Sequence, residues 1–462
     1  MALAPRQAGL LRLLVERAGQ VLSKDMLIEA AWPDDVAVTD NSLEQAMSGL
    51  RRTLTSGVAV AYIETLARRG YRFTAAVTRE ERRESDEELA ALLAPHRAWI
   101  EGRAALETLE REPIGRARAV FEDVLAQVPH QASAHIGLAN ACAMQFEMTR
   151  ADSAPDLASL DQALHHAREA CRLDPQYGEA WATLGFVLER TGQHEDGLAA
   201  SRRAVALEPD NWRHHLRLSY ASWGEERLRG ARRTLALLPG LPLAHWLAAT
   251  VHVARQALGE AERELAAGIA VQTDVASAST RFSGLALHWL MGLIQLSRGA
   301  FAEARLAFDS ELMQSGGEHL YARECGANTW YAAGALEWRL GRHEQAAAGF
   351  SEALRRQDGH PMAALGLAAL TGVGRDAIGP RLAEPGTARR SPVERAMARA
   401  AWMVMTPPSQ DHAQAAALVT QALVEAPAGS FGWLLPLEPI LNVSAEPAVW
   451  TSALAMLRNR AA

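Results

Sequence analysis

Thr39-Asp40-Asn41-Ser42-Leu43-Glu44-Gln45-Ala46-Met47-Ser48-Gly49-Leu50-Arg51-Arg52-Thr53-Leu54 is followed, after a short gap, by Tyr62-Ile63-Glu64-Thr65-Leu66-Ala67-Arg68-Arg69-Gly70-Tyr71-Arg72-Phe73. In the first stretch Leu43, Ala46, Met47, Leu50 and Leu54 recur at helical spacing and form one buried face, while Asn41, Glu44, Gln45, Ser48, Arg51 and Arg52 fall on the other. The polar face carries side chains able to read base edges near its start and phosphate-binding arginines at its end. The second stretch is two β-rich arms around Ala67-Arg68-Arg69-Gly70, where glycine supplies the turn and two guanidiniums stand at the tip. A helix suited to a DNA groove, followed by a hairpin wing, is the expectation.

Working outward, Pro5 opens a first helix running to about Ala18, with Leu10, Leu11, Leu14 and Val15 as its apolar side and Gly19 as its stop. Ser23 caps a second helix over residues 24–32, ended by Pro33, and Thr39 or Asp40 caps the third. Residues 1–78 therefore read as a winged helix-turn-helix. They resemble the OmpR/PhoB-type winged-helix domain of bacterial transcription regulators. The resemblance rests on Leu3-Ala4-Pro5 with Leu10-Leu11 and Leu14, on Gly19-Gln20-Val21-Leu22-Ser23, and on Leu27 with Ala31-Trp32. It continues through Leu50-Arg51-Arg52-Thr53-Leu54 and Ile63-Glu64-Thr65 with Gly70-Tyr71-Arg72-Phe73, in the family's order and spacing.

The resemblance implies a third helix in the major groove, and base-edge chemistry would then set Gln45 toward adenine and Glu44 toward a cytosine amine. Asn41, Ser42, Ser48, Arg51 and Arg52 complete that contact face, Trp32 faces the DNA backbone, and Arg68, Arg69 and Arg72 serve from the wing. It also implies tandem or dimeric binding at promoter half-sites and a loop at residues 33–37 able to touch RNA polymerase. Two features depart from the family. Its small antiparallel sheet ahead of the first helix has no room after Met1, so a longer N-terminus or another surface is expected to cover that side. Its usual wing arginine falls at Ala67, which shifts the cations to Arg68 and Arg69. Gly49 weakens the helix by about 1 kcal/mol relative to alanine unless close approach of the duplex requires it.

Residues 79–90 are a mixed-charge linker, and residues 91–462 are helical with a recurring register. Trp181, Leu184, Gly185, Leu188, Gly192, Gly197, Ala204 and Pro209 stand at the offsets of a tetratricopeptide repeat, and Pro175 and Pro209 are 34 residues apart. The frame returns as Ala117, Phe121, Val124 and Pro129, as Gly292, Gly299, Ala304 and Phe308, and as Trp330, Gly334, Gly341, Ala346 and Phe350. An insertion falls around residues 149–157, residues 212–280 keep the helical pattern without the signature, and Trp433 begins an atypical last unit expected to cap the array. The fold class is thus mainly α, a winged helix followed by an α-solenoid of roughly eight to ten helix pairs. Similarity to the repeat family implies a groove for a peptide or protein segment. Asn140, Arg213 and Arg217 resemble part of its clamp for a terminal carboxylate, with Ile136 and Thr183 replacing two of its polar residues.

The net charge of −7 divides unevenly: residues 1–79 hold ten basic and eight acidic side chains, a surplus of two, which leaves −9 for the rest. Three well-separated cysteines, Cys142, Cys171 and Cys325, suit a reducing, cytoplasmic setting without disulfides. The longest apolar runs are too short to cross a bilayer. His165-His166 and His214-His215 are adjacent pairs that cannot chelate from one helix face, and His194-Glu195 and His343-Glu344 lack the second histidine of a zinc-protease motif. No phosphate loop or nucleophile elbow is present, so neither an enzyme nor a cofactor or metal is expected. The reading is a sequence-specific DNA-binding regulator whose repeats bind a protein or other effector. A repeat scaffold whose winged helix no longer binds DNA is its alternative.

Overall fold

Three helices, α1 (Pro5–Glu16), α2 (Lys24–Ala31) and α3 (Asp40–Leu54), pack on a small antiparallel sheet in the N-terminal unit. The computed structural model describes residues 3, 5–32, 40–54, 62–67, 69–78, 86–273, 284–315, 317–372, 391–406 and 411–462. It divides into two compact units, residues 1–90 and 91–462. Ser23 caps α2 as its sequence position implied, its Oγ accepting from the Met26 N–H at 3.3 Å. The wing arms are β2 (Ile63–Leu66) and β3 (Gly70–Phe73), and a two-residue strand β1 (Val21–Leu22) pairs with the other side of β3. So short a strand shows no alternation, which is why a hairpin alone was expected. Leu10, Leu14, Leu27, Leu43, Met47 and Leu50 are completely buried and join Leu22, Ile63, Tyr71 and Phe73 in one core.

Gly70 fixes the sheet. Its φ is +121°, and a Cβ built there would lie 1.8 Å from the Leu22 carbonyl oxygen. Gly70→Ala is expected to weaken the N-terminal unit by roughly 2 kcal/mol, combining a disfavoured backbone conformation with displacement of β1. Hydrogen exchange of the full chain should show lost protection across residues 63–73; unchanged protection would contradict it. A Cβ at Gly49 would meet only the movable end of the Gln7 side chain, its amide nitrogen at 2.5 Å, so packing against α1 does not by itself require glycine there.

Residues 91–462 build a helical array: α4 (Asp86–Glu107), α5 (Arg111–Gln127), α6 (Ala132–Thr149), α7 (Leu157–Leu173), α8 (Gly178–Arg190), α9 (His194–Leu207), α10 (Trp212–Ala221), α11 (Gly224–Leu237), α12 (Pro242–Ala254), α13 (Leu258–Thr273), α14 (Leu287–Ser297), α15 (Phe301–Gln314), α16 (Ala322–Arg339), α17 (His343–Arg356) and α18 (Pro361–Thr371). Helices Pro392–Met405 and His412–Glu425 follow, and the chain ends in two short 3-10 turns and the helix Thr451–Arg460. From α6 to α17 the helices form antiparallel pairs, the first of each even-numbered here. Phe350 shows why the register recurs: its ring fills the space between α16 and α18, where a Cβ on Gly334 or Gly366 would come within 2.9 or 2.5 Å. The small positions let backbones approach and the ring fills what remains.

The insertion at residues 149–157 is a clasp. Arg150 makes a two-pronged contact with Glu324 at 3.0 Å, and Arg323 reaches Asp152 at 2.6 Å. Asp358 accepts from the Ser153 N–H and hydroxyl, and the Gln357 amide donates to the Ala151 carbonyl. A Cβ on Gly359 would press on the backbone of residues 151–153 at 3.0 Å. Nearby, the Leu320 N–H donates to the Leu109 carbonyl at 2.7 Å and the Arg111 N–H to that of Glu318. The early repeats are thereby hooked onto α16 and α17, far along the chain.

His319 sits in this clasp, its Nδ1 accepting from the Tyr321 N–H at 3.2 Å. Burial pushes its pKa down to about 4. An unfolded histidine titrates near ~6.5, so between these values the unfolded chain binds more protons. The contribution of His319 is therefore complete above about pH 6.5 and is lost as pH falls toward 4. Exchange protection of the Leu320 amide should drop over that window, and His319→Asn, which keeps an acceptor but no titration, should flatten the drop.

Candidate nucleic-acid interface and partner groove

Helix α3 buries Leu43, Met47 and Leu50 and turns Glu44, Gln45, Ser48 and Arg52 outward. These four occupy one face by helical spacing. Ser42 is half-buried, and the side chain of Asn41 lies outside the described residues, as do Arg68 and the loop at residues 33–37. Arg69 is exposed at the wing tip beside Gly70. Neither Arg52 nor Arg69 has an ion pair with any described residue, so both guanidiniums are open to a phosphate.

Other candidates are engaged within the protein. Arg51 donates through Nε to the Ile63 carbonyl at 3.2 Å and through Nη2 to Thr65 Oγ1, and lies 5.6 Å over the Tyr71 ring. It braces the third helix against the wing. Arg72 forks onto Glu64 Oε2 across β3 and β2, at 3.1 and 2.6 Å. Glu44 accepts from Lys24 Nζ at 2.9 Å, an exposed pair worth less than about 1 kcal/mol and free to exchange for another partner. Trp32 is 6% exposed and belongs to the core, with Arg6 5.5 Å over its ring. The Arg51 brace was invisible in sequence because its acceptors lie across the gap that precedes the wing.

Residues 1–73 match the family model described as "Transcriptional regulatory protein, C terminal". They are a winged helix of the OmpR/PhoB type. Transcriptional regulator HilA of Salmonella typhimurium is 39% identical over 69 residues, covering 15% of this chain and 12% of that protein's length. A small glutamine-rich tetratricopeptide repeat-containing protein of Mycosarcoma maydis is 29% identical over 62 residues, or 13% of this chain and 18% of that one. Among solved structures, the human IFIT1 dimer with m7Gppp-AAAA covers 83% of this chain and 78% of its own at a TM-score of 0.50 and 14% identity, a likeness of fold. The chain is mainly α, a winged helix followed by a tetratricopeptide-like array, as its sequence indicated.

Beyond the winged helix, the first helices of successive pairs touch one another, α6 with α8, α8 with α10 and α14 with α16, and so share one side of the array. Asn140, Thr183 and Arg217 come together there, one from each of three consecutive first helices. Arg217 donates to Asn140 Oδ1 at 2.7 Å and to Thr183 Oγ1 at 3.2 Å. Arg213 is bound to Glu107 Oε1 at 2.6 Å and stacks 4.4 Å over Trp212. The three clamp candidates are thus adjacent, and each is held by the protein itself.

Further along, the C-terminal segment lies against the array. The turn Leu435–Leu437 touches α12 and α14, Trp433 meets the Trp246 ring edge-on at 6.1 Å, and Arg339 donates twice to the Pro439 carbonyl. Gln256 and Arg255 hold the carbonyls of Leu454 and Ala461. Among the described residues no helix is long and apolar enough to cross a membrane, and no cluster of three metal-ligating side chains occurs.

Proposed function

We propose that this protein is a sequence-specific DNA-binding transcription regulator whose repeat unit receives a protein or other effector. The exposed Gln45-Ser48-Arg52 face of α3, braced to the wing through Arg51 and flanked by Arg69, supports this reading most directly. The helix enters the major groove with Gln45 on base edges, Arg52 binds phosphate, and Arg69 reaches the adjacent backbone or minor groove. Binding is tandem or dimeric at half-sites, and RNA polymerase is the partner proposed for the loop at residues 33–37. The side shared by α6, α8 and α10 is the proposed seat of a protein segment, since the C-terminal segment lies against α12 and α14.

Footprinting the full chain on the DNA upstream of its own coding region tests this. A protected site whose affinity falls with a log-log salt slope near −0.9 per neutralised phosphate is expected. The absence of any protected site from low to physiological salt would leave the scaffold reading in its place.

A further inference from the structure

Where α14 ends, α15 begins and α16 ends, the C-terminal segment closes one side of a cleft of about 630 Å³. Its walls include Leu296, Phe301, Trp338, Arg339, Asn442 and Ser444. That volume lies within the roughly 300–1,000 Å³ of small-molecule sites, which combine apolar walls with a few converging polar groups. None of the lining residues is acidic. Arg298, also on the rim, is already matched by a two-pronged contact with Glu262.

Arg339 is matched differently. Its Nε and Nη2 donate to the Pro439 carbonyl at 3.0 and 2.6 Å, and its Nη1 to the Leu296 carbonyl at 3.1 Å. A guanidinium has five N–H groups, so one N–H on each terminal nitrogen has no acceptor among the described residues and is left for a carboxylate. No carboxylate hydrogen-bonds to it among the described residues; burial lowers its pKa to about 10, outweighing the through-space attraction of the buried Glu438, and leaves it charged at neutral pH. Asn442 lines the same cleft at φ +48°, in the left-handed region that asparagine adopts more readily than other non-glycine residues. Its side-chain amide has no hydrogen-bond partner among the described residues.

We propose that this cleft binds a small organic carboxylate, its charge on the two N–H groups of Arg339 that no described residue accepts, its apolar body against Phe301 and Trp338, and the Asn442 amide as a further donor. The site rests on the reading of the repeat unit as effector-receiving and gives that effector a chemical class.

The test uses the full chain and fluorine NMR with 4-fluorophenylacetate as the probe and its neutral amide as the control. The carboxylate line should broaden at millimolar probe, with the amide at least about tenfold weaker. Two exposed rim positions supply variants that leave Arg339 in place. Ala445→Trp fills the cleft and Ser444→Glu sets a negative charge at its mouth, and each should weaken carboxylate binding by about tenfold or more with an unchanged melting temperature. A sharp line at several millimolar, equal binding of the amide, or full binding by Ala445→Trp would each overturn the proposal. DNA binding by the ligand-free protein is measured separately, so failure of the cleft and failure of the regulator reading are told apart.

Discussion

Trp450→Ala should destabilise the repeat unit by about 4 kcal/mol, the scale of removing a fully enclosed tryptophan. The ring has no exposed surface and shares a core with Val419, Leu423, Leu435, Ile440, Leu441 and Leu457. Its indole N–H has no partner, so the substitution removes packing alone and breaks no hydrogen bond. The same segment seats Leu437 among Ala249, Leu290 and Leu336, and Ala461 among Leu228, Ala248 and Val251. Loosening at Trp450 should therefore spread to α11, α12 and α14. Urea unfolding should show the lower midpoint, and proteolysis should nick residues 411–462 first, while DNA binding persists. A loss below about 1 kcal/mol would mean that the site collapses around the missing ring.

Arg52→Ala combined with Arg69→Ala should lower affinity for the cognate site about 150-fold or more at physiological salt, two charge-assisted contacts at about 1.5 kcal/mol or above each. The salt slope should become shallower by about 1.8, or 0.9 for each phosphate no longer neutralised. Arg72→Ala should change affinity far less, because that guanidinium is spent on Glu64. Gln45→Ala should relax preference at one base position and leave the slope unchanged. Mobility shifts at four salt concentrations distinguish the variants. An unaltered slope in the double variant would remove Arg52 and Arg69 from the interface.

Periodicity made the buried and exposed sides of α3 legible, because each residue's side follows from its own position in the helix. Ser23, Gly70 and the repeating Gly and Phe positions were legible for a similar reason: each meets a local need for a cap, a turn or a close approach. Arg51, Arg72 and Trp32 resisted such reading. What a guanidinium or indole touches depends on acceptors many residues away, and an arginine at a phosphate-facing offset looks identical whether or not Ile63, Thr65 or Glu64 has already taken it. The insertion at residues 149–157 was visible only as a break in register. Its use appears once residues some two hundred positions later, Asp358 and Gln357, lie beside it.

That fastening changes how the array should come apart. A stack held only by its immediate neighbours can fray from whichever terminus is weaker, shedding one repeat at a time. Here residues 109–111 and 150–153 grip residues 318–324 and 357–359, so the opening turns cannot peel off without breaking a distant set of bonds. Melting should accordingly be steeper and closer to all-or-none than stacked repeats otherwise give.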